Sequence, residues 1–256
     1  ETRPGLFSHT AMQNHCYKVD AFDEQKGTGI LGRLLDVFEN NNYTVGANGI
    51  NGASSMLGGD STKGRMVEVI SSWGIPAYSR QHLIHGHSDI GTLKPTIMEL
   101  NSESKSQNSL YADHWSQNLV DSWHNSDMLR EILNRNGPLT SMHRGGLEGS
   151  FRMIAQMIRA HSDRKKNRDA FVVTIGGFDA HTSALSNLEW RLPPIDTAFK
   201  KFRAEMMAQG NYDKVTTIMI SEIGRTITPN SSGGTDHAWG GNYFMFGGGV
   251  KGGRIV

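Results

Sequence analysis

Phe171-Val172-Val173-Thr174-Ile175 runs directly into Gly176-Gly177-Phe178-Asp179-Ala180-His181, and the reading of this junction decides the fold. The first five residues are β-branched or aromatic and carry no charge, the composition of a short strand covered on both faces, as in a parallel sheet. The next six stop the strand at a polar turn that carries a carboxylate and an imidazole. Val215 to Ile220 repeats the pattern and ends at Ser221-Glu222-Ile223-Gly224-Arg225-Thr226. Between the two, Pro193-Pro194 opens a predicted helix whose Ile195, Phe199, Phe202 and Met206 recur on one face, with Gly210 as its stop. Strand, loop, helix and strand make one βαβ unit with a right-handed crossover. The fold class expected is α/β: a mainly parallel sheet flanked by helices.

Open parallel sheets bind ligands in the crevice beyond the carboxyl ends of their strands, so Asp179, His181 and Glu222 are expected to converge there from separate loops. A third stretch, Gly234-Thr235-Asp236-His237, adds a carboxylate and an imidazole, and Gly233-Gly234 and Gly240-Gly241 permit the turns that bring them in. Oxygen and imidazole donors suit a divalent metal, read as zinc, manganese or calcium, with Asp179, His181, Glu222, Asp236 and His237 as the candidate ligands. Such a metal activates a nucleophile and offsets charge on a departing anion. Arg225 is the candidate clamp for nonbridging phosphate or sulfate oxygens. The competing structural readings are that Asp179 caps the next turn and that Glu222 and Arg225 form a local ion pair.

Ser8 stands where Phe7-Ser8-His9-Thr10 opens a helix, which fits an N-cap and also a nucleophile activated by a helix N-terminus beside a divalent ion. His9 and His15 read as structural, with either able to approach the site. His82, His85, His87 and Asp89 form a second imidazole-rich cluster, in a loop setting that favours a polar surface. Gly27-Thr28-Gly29-Ile30-Leu31-Gly32 matches the dinucleotide pattern G-x-G-x-x-G, but the polar segment before it does not read as the strand that pattern requires.

The 256 residues suffice for a substantial core and read as one domain, with residues 43–115 as an irregular, loop-rich region inside it. Within that region Tyr43 to Ala47 and Met66 to Ile70 are strand candidates. Helices are expected at 29–39, with Ile30, Leu31, Leu34, Leu35 and Phe38 on a stripe, at 116–134, and at 147–162 with Phe151, Ile154 and Ala155 inward. Arg159, Arg164, Lys165, Lys166 and Arg168 suit the negative end of that last helix. A formal charge of +1, from 26 basic and 25 acidic residues, gives no global reason to expect nucleic acid or a membrane surface. The single cysteine, Cys16, excludes an intrachain disulfide. No run approaches the roughly 20 apolar residues that span a bilayer. The first residues carry neither an initiating Met nor a signal-like apolar core, so the N-terminus reads as cut.

With these residues assembled, the chain resembles the bacterial-type family called domain of unknown function fifteen-zero-one, within the alkaline phosphatase and sulfatase-like superfamily. The similarity is most specific in Gly-Gly-Phe-Asp-Ala-His from Gly176, Ser-Glu-Ile-Gly-Arg-Thr from Ser221, and Gly-Thr-Asp-His-Ala-Trp-Gly-Gly-Asn-Tyr-Phe from Gly234. The resemblance implies an α/β sandwich around a mainly parallel sheet, with a divalent-metal centre formed from loops at strand ends and Ser8 in the nucleophile position; it names no substrate, and the small anionic ester is expected from the site residues. It also implies a further strand upstream of Glu1 with another acidic turn, a continuation past Val256, and an envelope or extracellular location. The chain is therefore expected to be a fragment of a metal-dependent hydrolase of phosphate or sulfate esters. Group transfer to an acceptor other than water uses the same residues, and the alternative is a noncatalytic member that binds a glycan, an envelope component or a protein.

Overall fold

A computed structural model describes residues 7–19, 27–60, 65–74, 90–102 and 109–255. The elements in chain order are α1 (His9–Cys16), β1 (Lys18–Val19), β2 (Thr28–Gly29), α2 (Ile30–Asn40), β3 (Val45–Ile50), β4 (Val67–Ile70), α3 (Ile90–Leu100), α4 (Leu110–Arg135), α5 (Gly146–Arg159), β5 (Arg168–Val173), α6 (Ala184–Ala208), β6 (Thr216–Met219), β7 (Gly224–Arg225), β8 (His237–Ala238) and β9 (Phe244–Gly247). They fall into two compact units, Glu1–Ser72 with Pro138–Val256, and Trp73–Gly137. The second unit contains α3, with Pro95 inside it, and the long α4. Both helices reach into the region read as irregular, because the Ser- and Asn-rich composition there masks the helical pattern. No helix among the described residues is long and apolar enough to cross a membrane.

The first unit is built on a parallel sheet in the order β4-β3-β5. All six residues of β3 are buried, so both faces of this central strand are covered. On one face Val45 and Ala47 pack with Ala170 of β5, Leu35 of α2 and Leu57, flanked by Leu31, Phe38, Val67 and Val172. Ile30 and Leu34, read on the same stripe, are exposed, because the contact with the sheet uses only part of the helix surface. The next residue of β3, Asn48, points to the other face. There Asn48 donates to Asp169 Oδ1 at 3.1 Å, and Arg164 pairs with both Asp169 oxygens at 3.0 and 3.1 Å. Arg164, grouped from sequence with the solvated basic run, is thus a buried partner of the sheet. Two parallel N–H···O bonds in a fork keep that charge compensated.

Parallel pairing stops at β5. The expected βαβ unit through α6 does not close: β6 pairs antiparallel with β9, from Thr216 opposite Gly247 to Met219 opposite Phe244. Thr216 and Ile218 are exposed while Thr217 and Met219 are half-buried, so β6 has one open face. A β-branched run of this length fits either environment, and its partner lies at a sequence distance that the run does not encode. Helix α6 starts at Ala184, ahead of the Pro pair taken as its beginning, and Pro193 and Pro194 lie inside it. Its buried face holds Ile195, Ala198, Phe202 and Met206. Phe151 of α5 stacks on Phe202 at 4.8 Å, and Phe199 meets Phe246 of β9 at 4.7 Å, so an aromatic seam ties α5, α6 and the second sheet together.

The Gly-rich match at residues 27–32 does not form a phosphate loop. A Cβ on Gly29 would lie 2.1 Å from Ser55 O, and one on Gly32 would lie 2.1 Å from Gly58 O, so both glycines serve backbone-to-backbone packing. His82, His85, His87 and Asp89 lie outside the described residues.

Glu205, buried on α6, accepts from the backbone N–H groups of Leu139 and Thr140 at 2.8 and 2.6 Å, from the Thr140 hydroxyl at 2.6 Å and from Gln209 at 2.8 Å. Burial pushes its carboxyl up, but the Thr140, Gln209 and backbone donors outweigh burial and hold it below its ordinary 4.5. A lowered native value means that this stabilisation is fully present above the unfolded value and is lost as pH falls through the native one. Glu205→Gln is expected to cost about 1.5–3 kcal/mol in urea unfolding at pH 7, the worth of hydrogen bonds to a charged group. The gap to wild type should close as pH falls below about 4.5.

Candidate metal centre

Asp179 lies beyond the end of β5 and is the hub of the site. Arg225 Nη1 donates to its Oδ1 at 2.5 Å, His181 Nε2 lies 2.9 Å and His237 Nε2 3.0 Å from the same oxygen, and His9 Nε2 stands 3.2 Å from Oδ2. The three loops singled out in the sequence therefore meet, and the first residue of α1 joins them. Burial alone would raise the Asp179 carboxyl, but Arg225, His237, His9 and His181 hold it well below the usual carboxylate range.

Local pairing explains how distant residues arrive together. β7 and β8 are antiparallel with Arg225 directly opposite His237, so the two side chains lie side by side and both reach Asp179. Thr182 bridges Gly233, which pins the loop after His181 against the loop before Asp236. Gly234 approaches so closely that a Cβ there would sit 2.0 Å from the His181 backbone carbon. Arg225 is fixed by Thr235, with Nε donating to Oγ1 at 3.1 Å and Nη2 to the backbone oxygen. Its guanidinium pairs with Asp179, so in place of the competing local Glu222–Arg225 pair the ion pair joins two loops. Asp179 does not cap the following helix: the N-cap of α6 is Ser183, in the left-handed region.

The histidines carry the chemistry. His9 Nδ1 lies 2.8 Å from Glu222 Oε1, His237 Nδ1 lies 2.6 Å from the Phe7 backbone oxygen, and His181 Nδ1 lies 2.9 Å from Asp236 Oδ1. A carboxylate or carbonyl oxygen only accepts, so each Nδ1 must carry a proton. In a neutral ring each Nε2 is then a lone pair, yet each faces a carboxylate oxygen of Asp179. Acceptor facing acceptor is repulsive unless a second proton or a cation lies between them. The contact of His9 Nε2 with Asp179 lacks hydrogen-bond alignment, and that buried nitrogen has no other hydrogen-bond partner. Asp179, Glu222 and Asp236 also bring more negative charge than Arg225 alone offsets.

These features fit a divalent ion. One ligand atom from each of His9, Asp179 and His237 lies within 4.8 Å of the others, the compact set among the described residues. Glu222 and the Phe7 carbonyl would then stand behind the candidate ligands, each held at Nδ1 with Nε2 left facing Asp179. The sequence-derived ligand set is redistributed accordingly. Asp179 and His237 are in the compact set, Glu222 holds His9, and His181 with exposed Asp236 borders the set through Asp179 Oδ1. Asp236 is held below its ordinary value chiefly by His181 and Asn230. From sequence His9 reads as structural, though able to approach the site. Its only signal was its place at a helix start beside Ser8. Glu222 raises the His9 imidazole above its ordinary value, against burial, with Asp179 adding to the rise. Ser8 is exposed at the N-cap position of α1, where its side chain makes no cap hydrogen bond.

The family described as protein of unknown function (DUF1501) matches residues 78–256. The chain belongs to that family. The matched span holds Asp179, His181, Glu222, Arg225, Asp236 and His237, whereas Ser8 and His9 precede it. No curated protein and no solved structure matches the chain.

Gly234→Ala is expected to destabilise the protein by about 1–3 kcal/mol, because the added methyl must displace the His181 backbone. Gly252→Ala, where a Cβ meets nothing within 4 Å, serves as the control and should unfold like wild type in the same urea titration.

Proposed function

We propose that this chain carries the centre of a metal-dependent hydrolase of phosphate or sulfate esters, of the alkaline phosphatase and sulfatase-like type. The observation that carries the reading is the convergence of His9 Nε2, Asp179 and His237 Nε2 within 4.8 Å, with both Nδ1 atoms anchored on acceptors. His9, Asp179 and His237 would hold the ion. Two imidazoles and one carboxylate favour zinc or manganese over calcium, which prefers oxygen ligands. A divalent ion held there would supply Lewis-acid polarisation of a phosphoryl or sulfuryl oxygen. Ser8, next to His9 and free of capping duty, is the candidate nucleophile, with water as the alternative attacking group. Arg225 keeps Asp179 ionised and oriented, and His181 and Asp236 line the open side of the centre, where the leaving alcohol can be protonated.

A second reading, a noncatalytic member that binds a glycan or protein, is favoured by the direct Arg225–Asp179 pair, which fastens two loops without any ion. The two readings part at Asp179. Under the hydrolase reading, calorimetric titration with Zn²⁺ or Mn²⁺ gives one bound ion, and the loaded protein turns over 4-nitrophenyl phosphate or 4-nitrophenyl sulfate. Asp179→Asn abolishes both, while Glu222→Gln weakens metal binding by about 10- to 100-fold through His9. A folded protein that binds neither ion and hydrolyses neither ester refutes the reading.

A further inference from the structure

Two large aromatic side chains stand uncovered beside the centre. Phe7 is 59 % exposed and Trp239 is 70 % exposed, yet their rings lie against each other, with centroids 6.3 Å apart and planes inclined at 58°. Phe7 is also tied to the centre through its backbone oxygen, which holds His237 Nδ1 at 2.6 Å. Trp239 follows His237 by two residues, at the end of the strand that delivers that histidine. The same short segments therefore position an inward-facing ligand nitrogen and an outward-facing aromatic corner. Single exposed apolar residues are ordinary on a protein surface. A contacting aromatic pair anchored to a candidate metal ligand is a more specific arrangement, because its place relative to the ion is fixed by a hydrogen bond and a strand.

We propose that Phe7 and Trp239 form a stacking corner for the alcohol part of the substrate, and that this part contains a six-membered ring, aryl or pyranose. The proposal rests on the ester reading for the place of the anionic group. An oxyanion at the His9, Asp179 and His237 centre leaves its ester substituent beside His237, where the aromatic faces offer dispersion and π contact to a flat or C–H-bearing ring. The inclined planes form a corner that takes one ring edge-on to Phe7 and face-on to Trp239, or the reverse. An unbranched alkyl ester fills less of that corner and gains less from it. Trp239 and Phe7 are thus assigned to substrate selection and not to bond cleavage.

Nonhydrolysable probes test this on the zinc- or manganese-loaded full chain. Calorimetry should give tighter binding of phenylphosphonate than of methylphosphonate by about tenfold, the scale of one ring stacked on an aromatic side chain. The phosphonate analogue of glucose 6-phosphate, with a methylene in place of the ester oxygen, compared with methylphosphonate in the same way, reports whether a sugar ring is the better occupant. Trp239→Ala should remove the preference for the ring-bearing probe and leave methylphosphonate binding unchanged, while Trp239→Phe should retain part of it. Quenching of tryptophan fluorescence by phenylphosphonate should disappear in Trp239→Phe. If both ring-bearing probes bind no tighter than methylphosphonate, or if Trp239→Ala keeps the preference, the stacking corner is refuted while the ester reading stands. If neither these phosphonates nor the sulfate-like methanesulfonate and benzenesulfonate bind in the presence of the metal, the ester reading fails and the corner fails with it.

Discussion

An ionised carboxylate confronted by three imidazoles whose other nitrogens are already committed to acceptors is the constraint on which the rest of this protein's site depends. Asp179 cannot donate, and neither can the oxygens that hold His9, His181 and His237 from behind. Protonation of the rings or a bound cation resolves the confrontation, and Arg225 resolves only part of it. Elements from residue 9 to residue 237 meet on this one side chain.

The scaffold delivers these groups by two different devices. Strand β5 of the parallel β4-β3-β5 sheet leads into the loop that carries Asp179. The remaining groups come from short antiparallel pairing, in which β7 and β8 set Arg225 opposite His237. A parallel sheet gives rigidity at one side of the site, while a two-residue ribbon with glycine-permitted close approach supplies the other. The candidate centre therefore belongs to a junction between a firm core and tightly threaded loops.

Ion pairs elsewhere in the chain show by contrast what is unusual here. Arg65 forks onto Glu39 and also meets Asp36, and Arg164 forks onto Asp169, each with most of its hydrogen-bonding capacity filled. Those pairs are closed and compensated, which is how charge is normally kept inside a protein. The Asp179 site is half-open to solvent and carries acceptors that face acceptors. Protonated imidazoles or the proposed cation would compensate that pattern, which Arg225 alone does not.

Much of this was legible in the residues themselves. Polar turns after apolar β-branched runs marked Asp179, His181, Glu222 and Arg225, because a strand-end loop is the place where such side chains can be spared from the core, and a glycine-flanked stretch marked Asp236 and His237. Helical periodicity located α2, α4 and α5. What each polar residue touches was decided only in three dimensions. Arg225 pairs with Asp179, Glu222 pairs with His9, and His9, which reads from sequence as structural yet able to approach the site, reaches Asp179. The partner of β6 was likewise open, since a run of β-branched residues states that a strand forms and not which strand receives it. Residue type and spacing fix local conformation and chemical capacity, but proximity between residues more than two hundred positions apart is set by how elements pack, and no local pattern carries that information.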